Sequence, residues 1–163
     1  MPAIAPNIAE IKKEVSEAAE TSANTEQLLT KIVEVLNAKM LKYNWVGFYM
    51  LDSSGNMLHL GPFMGAMTPH TSIPLNQGIC GAAASTGKTV IVDDVNSDPR
   101  YLACSIETKS EIVVPVFADG KVVGELDIDS HFKAAFTPED RDLCEFCAQV
   151  VGKFMEEQAE RKS

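Results

Sequence analysis

The run EIVVPVFADGKVVGELDIDS, residues 111–130, constrains this chain more than any other stretch. Two β-branched segments flank Asp119-Gly120, a pair that suits a tight hairpin turn because glycine adopts positive φ without a steric cost. Glu111 opens the first segment, and Asp127 and Asp129 end the second on one face by strand alternation. Three acids among valines and isoleucines are expensive to bury unless cations or hydrogen-bond donors meet them. Lys109, Arg100 or loop amides are the plain partners; a site that holds a cationic group is the other reading.

The hairpin sits inside a mixed pattern. Ile8, Ile11, Val15 and Ala18 repeat at helical spacing, and a second helix after TSANTEQ carries the stripe Leu28, Leu29, Ile32, Val33, Leu36, with Asn24 or Thr25 as its cap. NWVGFYML alternates as a strand, with Trp45, Gly47 and Tyr49 on one face and Val46, Phe48 and Met50 on the other. DSSGN turns the chain into a returning strand from Met57 to Phe63. HTSIPL is a short extended piece, Gly78 to Thr86 a small-residue helix, TVIVDDV a strand, and NSDPRYLACSIETKS a long loop. The last helix opens at FTPED, where Thr137 caps, Pro138 suits the first turn and Asp140 completes a capping box. Hairpin-joined strands with helices gathered at both ends of the chain predict a single α+β domain over residues 1–163. Residues 1–42 would form N-terminal helices, 44–136 the sheet, pocket loops and hairpin, and 137–160 the C-terminal helix. The terminal helices would share one face of the sheet, leaving a pocket on the other.

Charge narrows the partners. The formal charge is −9, with 14 basic and 23 acidic residues, which leaves little from which to build a phosphate-binding surface, so nucleic acid is not expected. No apolar run approaches the ~20 residues of a membrane span, and the N-terminus lacks a signal-peptide layout. The expectation is a soluble, cytoplasmic protein with four cysteines kept as thiols.

Those thiols differ. Cys144 and Cys147 spell C-x-x-C but lie in an amphipathic helix, Cys147 on its apolar stripe and Cys144 at the border, and His59, His70 and His131 have no zinc spacing around them, so the two cysteines read as buried packing and no metal site is expected. Cys80, between Gly78 and Gly81 at a helix start, meets unpaired backbone N–H groups that would lower its pKa. Cys104 stands in a polar loop where packing gives it less reason to be. Trp45 and Tyr49 are either core or the wall of a pocket for a methyl or sulfur-bearing group.

The stretches NWVGFY, LGPFMG, IPLNQGICGAAASTGKTVIVDDV, YLACS and KSEIVVPVFADGKVVGELDIDS resemble the GAF-domain free methionine-(R)-sulfoxide reductases from about Trp45 to Asp140. The resemblance implies a six-stranded antiparallel sheet with helices on its faces, often as a dimer. It implies Cys104 as the nucleophile and Cys80 as the resolving thiol. It assigns Glu111, Asp127 and Asp129 to the acidic site, with Glu111 as the proton donor, and Trp45 and Tyr49 to the aromatic wall. It implies no resident cofactor, free methionine-(R)-sulfoxide as substrate and an external dithiol of the thioredoxin type as reductant. One position departs from the family: TPHTSIP carries His70 where a third cysteine usually stands. That replacement keeps a second reading open, a non-catalytic GAF module that binds a small ligand or senses oxidation through the same pocket.

Overall fold

The computed structural model describes residues 6–101 and 107–162. Two helices come first, α1 (Ile8–Thr21) and α2 (Thr25–Lys39). Each is stopped from fraying by an asparagine: Asn7 Oδ1 accepts the Glu10 N–H at 3.1 Å and Asn24 Oδ1 that of Gln27 at 2.8 Å. Strands β1 (Trp45–Leu51), β2 (Met57–Met64) and β3 (Ser72–Pro74) follow, then the short helix α3 (Gly78–Thr86) and strand β4 (Val90–Val92). A 3-10 turn at Val95–Ser97 precedes β5 (Ser110–Ala118), β6 (Lys121–Ser130) and the long α4 (Pro138–Lys162).

All six strands join one antiparallel sheet in the order β3-β2-β1-β6-β5-β4, the α+β arrangement expected from the sequence. The hairpin turns where the sequence puts it. Asp119 and Gly120 both take positive φ (51° and 75°), which is the two-residue turn geometry whose twist matches that of the strands. The strand expected over TVIVDDV is shorter than its pattern. Asp94 turns its carboxylate back to accept the Asn96 N–H (3.2 Å), and that local bond starts the 3-10 turn instead of extending the ladder.

Alternation divides the sheet into two faces. Val46 and Phe48 of β1, Ile112, Val114 and Val116 of β5, and Leu126 and Ile128 of β6 pack under α1, α2 and α4. Burying each of the large aliphatic side chains of that stripe, such as Leu28, Ile32 and Leu36, contributes roughly 1.5–3 kcal/mol, so this face anchors the domain. α4 enters through its capping box: the Thr137 N–H donates to Asp140 Oδ2 (2.8 Å), and Thr137 Oγ1 accepts the Asp140 N–H (3.3 Å). Cys144 and Cys147 lie wholly inside this core, and burial pushes the Cys147 thiol up to about 12 and that of Cys144 well above its usual range. The C-x-x-C spacing is packing, as its helical setting implied. On the opposite face a smaller cluster gathers Trp45, Tyr49, Leu58, Ile73, Ile79, Cys80 and Val113 under α3. Among the described residues no helix is long and apolar enough to cross a membrane.

Candidate active site

β6 is the spine of the α3 face, and the last three odd positions of the strand are all acids. Glu125, Asp127 and Asp129 stand in a row along the strand, flanked on β1 by Tyr49, Gly47 and Trp45 and on β5 by Pro115, Val113 and Glu111. Register therefore sets Glu111 directly opposite Asp129 and Gly47 opposite Asp127. All four acids are buried, none more than 5 % exposed. Sequence reasoning singled out three of them and missed Glu125. The alternation E-x-D-x-D was the available signal, since residues i, i+2 and i+4 of a strand share a face.

Among the described residues no lysine or arginine forms an ion pair with these acids; Arg100 pairs with Asp98 instead (2.7 Å). The plain partnering by Arg100 is thus overturned, because an aspartate two residues away offers a closer, solvated fork. Both oxygens of Glu125 and the Oδ1 atoms of Asp127 and Asp129 have no hydrogen-bond partner among the described residues. Burial pushes all four carboxyls up from the usual range, and the mutual repulsion of the charges adds to it at Glu111, Glu125 and Asp129. Hydrogen bonding between Glu111 and each aspartate acts with opposite signs, raising Glu111 and lowering Asp127 and Asp129.

Cys80 reaches this row from the first turn of α3. Its Sγ donates to Asp127 Oδ2 at 3.3 Å, and the side chain is only 6 % exposed. The expectation that the helix start lowers its pKa is corrected. Burial, followed by the charges of Asp127, Glu125 and Glu111, pushes the thiol well above its usual range. Backbone N–H groups at a helix start act through partial charges, and full negative charges closer to the sulfur outweigh them.

The aromatic wall is continuous. Trp45 stacks on Tyr49 (centroids 6.2 Å apart, 29°) and on Phe63 (5.6 Å, 20°). Its indole N–H donates to the Ala66 carbonyl (3.0 Å), and the Tyr49 hydroxyl donates to the His70 carbonyl (2.7 Å). Gly47 makes room for this: a Cβ there would fall 2.4 Å from the Trp45 ring. Phe63 is the second residue that sequence reasoning passed over, because β2 alone does not reveal that its side chain meets Trp45.

Two cavities border the acid row. The smaller, of about 20 Å³, is lined by Tyr49, His70, Ile79, Cys80, Glu111 and Asp127. The larger, of about 110 Å³, lies between Trp45, Thr68, Thr108, Asp129 and His131. Roomier depressions of about 420 to 850 Å³ exist beside α1, α2 and α4, but they are open grooves that gather no buried titratable set. His70, at the position where the resemblance implies that family members usually carry a third cysteine, shares a cavity with Cys80. Cys104 lies outside the described residues, so of the sequence-derived site residues the structure brings together Cys80, Glu111, Asp127, Asp129, Trp45, Tyr49 and His70.

A row of buried acids beneath an aromatic wall and a thiol, carried on this sheet, defines a class. Residues 24–154 match the family model of the GAF domain, and the chain is a GAF-domain protein. Free methionine-R-sulfoxide reductases match it further. That of Escherichia coli (strain K12) is 36% identical over 131 residues, 80% of this chain and 73% of its own. That of Saccharomyces cerevisiae is 46% identical over 112 residues, 68% of this chain and 62% of its own. The X-ray structure of free methionine-R-sulfoxide reductase from Neisseria meningitidis in complex with its substrate superposes with a TM-score of 0.89 at 32% identity, covering 100% of both chains. The chain belongs to the free methionine-(R)-sulfoxide reductase family of GAF domains.

Proposed function

We propose that this protein reduces free methionine-(R)-sulfoxide to methionine by thiol chemistry over the acid row of β6. The observation that carries the reading is the set of buried, unpartnered carboxylate oxygens on Asp127 and Asp129 beside a thiol and an aromatic wall. A free amino acid brings one ammonium group, which supplies the positive charge these oxygens lack; a methionine inside a peptide chain has none. Family relatives named for this activity support the assignment.

Cys104, as a thiolate, attacks the sulfoxide sulfur. Glu111, held protonated by burial and its aspartate neighbours, gives its proton to the oxygen, which leaves the substrate only when protonated. The hydroxyl passes to the Cys104 sulfur as the new sulfur–sulfur bond breaks, so methionine departs and Cys104 is left as a sulfenic acid. The Cys80 sulfur then attacks Cys104, forming a disulfide; its proton passes by way of Asp127, and the sulfenic oxygen leaves as water. An external dithiol of the thioredoxin type reopens the disulfide by exchange. Trp45 and Tyr49 enclose the S-methyl end, and His70 borders the pocket in place of a third thiol. Homodimeric assembly belongs to the same reading.

The His70 position supports a second reading, a GAF module that binds the ligand without turning it over. Methionine release from free methionine-(R)-sulfoxide with dithiothreitol separates the two, with Cys104→Ser, Cys80→Ser and Asp127→Asn alongside. Release that is lost in Cys104→Ser and weakened in Asp127→Asn is expected. No release by the unaltered protein would leave the binding module standing. Multiple turnovers undiminished in Cys80→Ser under a thioredoxin-type reductant would remove only the resolving role.

A further inference from the structure

Cys80, Glu111 and Asp127 each offer one ligand atom, and these three atoms lie within 4.8 Å of one another inside the fold. They arrive from three different elements, α3, β5 and β6, each held by its own backbone bonding. Three points no more than 4.8 Å apart share a centre about 2.8 Å from each, so small side-chain rotations reach the ~2.0–2.3 Å bonds of a tetrahedral thiolate–carboxylate site. We propose that this cluster is a binding site for a thiophilic divalent cation of the Zn²⁺ type, and that the cation excludes the amino-acid ligand from the acid row.

Glu125 is the observation that the amino-acid ligand does not account for. Neither of its oxygens has a hydrogen-bond partner among the described residues, and it is 0 % exposed, two residues before Asp127 on the same strand face. Counting Glu111, four buried carboxyls stand together on this face, and an amino-acid ligand supplies a single positive charge. A divalent ion neutralises two. The Oδ1 atom of Asp127 has no hydrogen-bond partner among the described residues and is left to turn toward an ion, and a water fills the fourth position.

The chemistry selects among ions. Ca²⁺ takes six to eight oxygens and Mg²⁺ keeps several waters in an octahedron, neither of which suits a sulfur donor beside a cavity of about 20 Å³. A sulfur, two or three oxygens and room for one small ion suit Zn²⁺ or Cd²⁺. On entry the protons of Cys80 and Glu111 leave to solvent, the sulfur becomes a metal thiolate and Glu111 a carboxylate ligand, and no oxidation state changes. The bound ion then ties up Asp127, which the amino-acid ligand needs, and Cys80, which the disulfide needs. Inhibition rests on the reductase reading; binding does not.

Zn²⁺ titration of the reduced, chelator-stripped protein by calorimetry, checked by competition with a chromophoric chelator, tests the site. One Zn²⁺ per chain is expected, with affinity lowered more than 10-fold in Cys80→Ser and in Asp127→Asn and roughly 10-fold in Glu125→Gln. A Cys144→Ala/Cys147→Ala variant is expected to bind as the parent does. Thermal melts of every variant separate loss of a ligand from loss of the fold. No binding by the parent, binding unchanged in a folded Cys80→Ser protein, or binding lost in the helix variant would each overturn the proposal. Where the protein turns over methionine-(R)-sulfoxide, Zn²⁺ is expected to inhibit it in competition with substrate and to be reversed by chelator. Stoichiometric binding at Cys80 without that competition would overturn the exclusion. Failure of the reductase assay alone leaves the titration to decide.

Discussion

Glu125→Leu removes a carboxyl that the fold buries with no hydrogen-bond partner among the described residues. The side chain lies between Tyr49 and Pro115 on the neighbouring strands, and burial first, Asp127 second, push its pKa well above the usual range, against a smaller lowering by the nearby Cys80 thiol. The folded chain therefore binds this proton more tightly than the unfolded chain does. The stability that comes with it is complete below the unfolded value of about 4.3 and is lost as pH rises through the folded value. Leucine fills the same space and has nothing to titrate. An uncompensated buried polar group costs about 1–3 kcal/mol, so the variant is expected to gain about that much at pH 8 and less at pH 5. At ~2–4 °C per kcal/mol for a chain of this size, the rise in Tm at pH 8 is roughly 2–12 °C. Thermal unfolding followed by circular dichroism at both pH values reads it. Glu125→Gln, which keeps the buried polar group, is expected to flatten the pH dependence without the full gain. A Glu125→Leu protein that loses stability equally at pH 5 and pH 8 would refute the reasoning, because it would mean that the carboxyl has a satisfying partner.

Gly47→Ala places a Cβ 2.4 Å from the Trp45 ring, so the ring must leave its stack on Tyr49 and Phe63. Losing one such aromatic contact costs about 0.5–1.5 kcal/mol, read as up to a roughly 10-fold rise in KM and a shifted emission of the single tryptophan. Thr137→Ala breaks the capping box of α4 and is expected to cost about 1 kcal/mol, seen as a lower urea midpoint with an unchanged m-value. Native alkylation followed by peptide mapping is expected to leave Cys144 and Cys147 unlabelled until urea unfolds the chain, since both are 0 % exposed. Asp127→Asn keeps the shape of the acid row while removing a charge that raises Cys80, so Cys80 is expected to alkylate faster at a given pH than in the parent protein.

Much of this architecture is local, and local features are legible in a sequence. The Asp119-Gly120 turn, the α2 cap (Asn24, one of the two candidates), the Thr137–Asp140 box and the apolar stripes of α2 and α4 each depend on neighbours within four or five residues, and each stands where its pattern put it. Alternation alone assigned Trp45 and Tyr49 to one face and Phe48 to the other, and it set Asp127 beside Asp129. Resemblance to a known family added the expected roles of Cys80 and the acids, which periodicity could not supply.

What only the tertiary structure decided is how charges and thiols meet across elements. Cys80 and Asp127 are 47 positions apart, and their contact, which reverses the expected direction of the thiol's pKa, exists because α3 packs over β6. Glu125 reads in the sequence as one more polar residue of an alternating strand, and it becomes a buried, unpartnered acid only when Tyr49 and Pro115 close on it from both sides. Helices, turns and faces follow from hydrogen bonds and side-chain directions set within a few residues. Desolvation and Coulomb energy depend on whatever is near in space, and that is known only once the sheet has assembled.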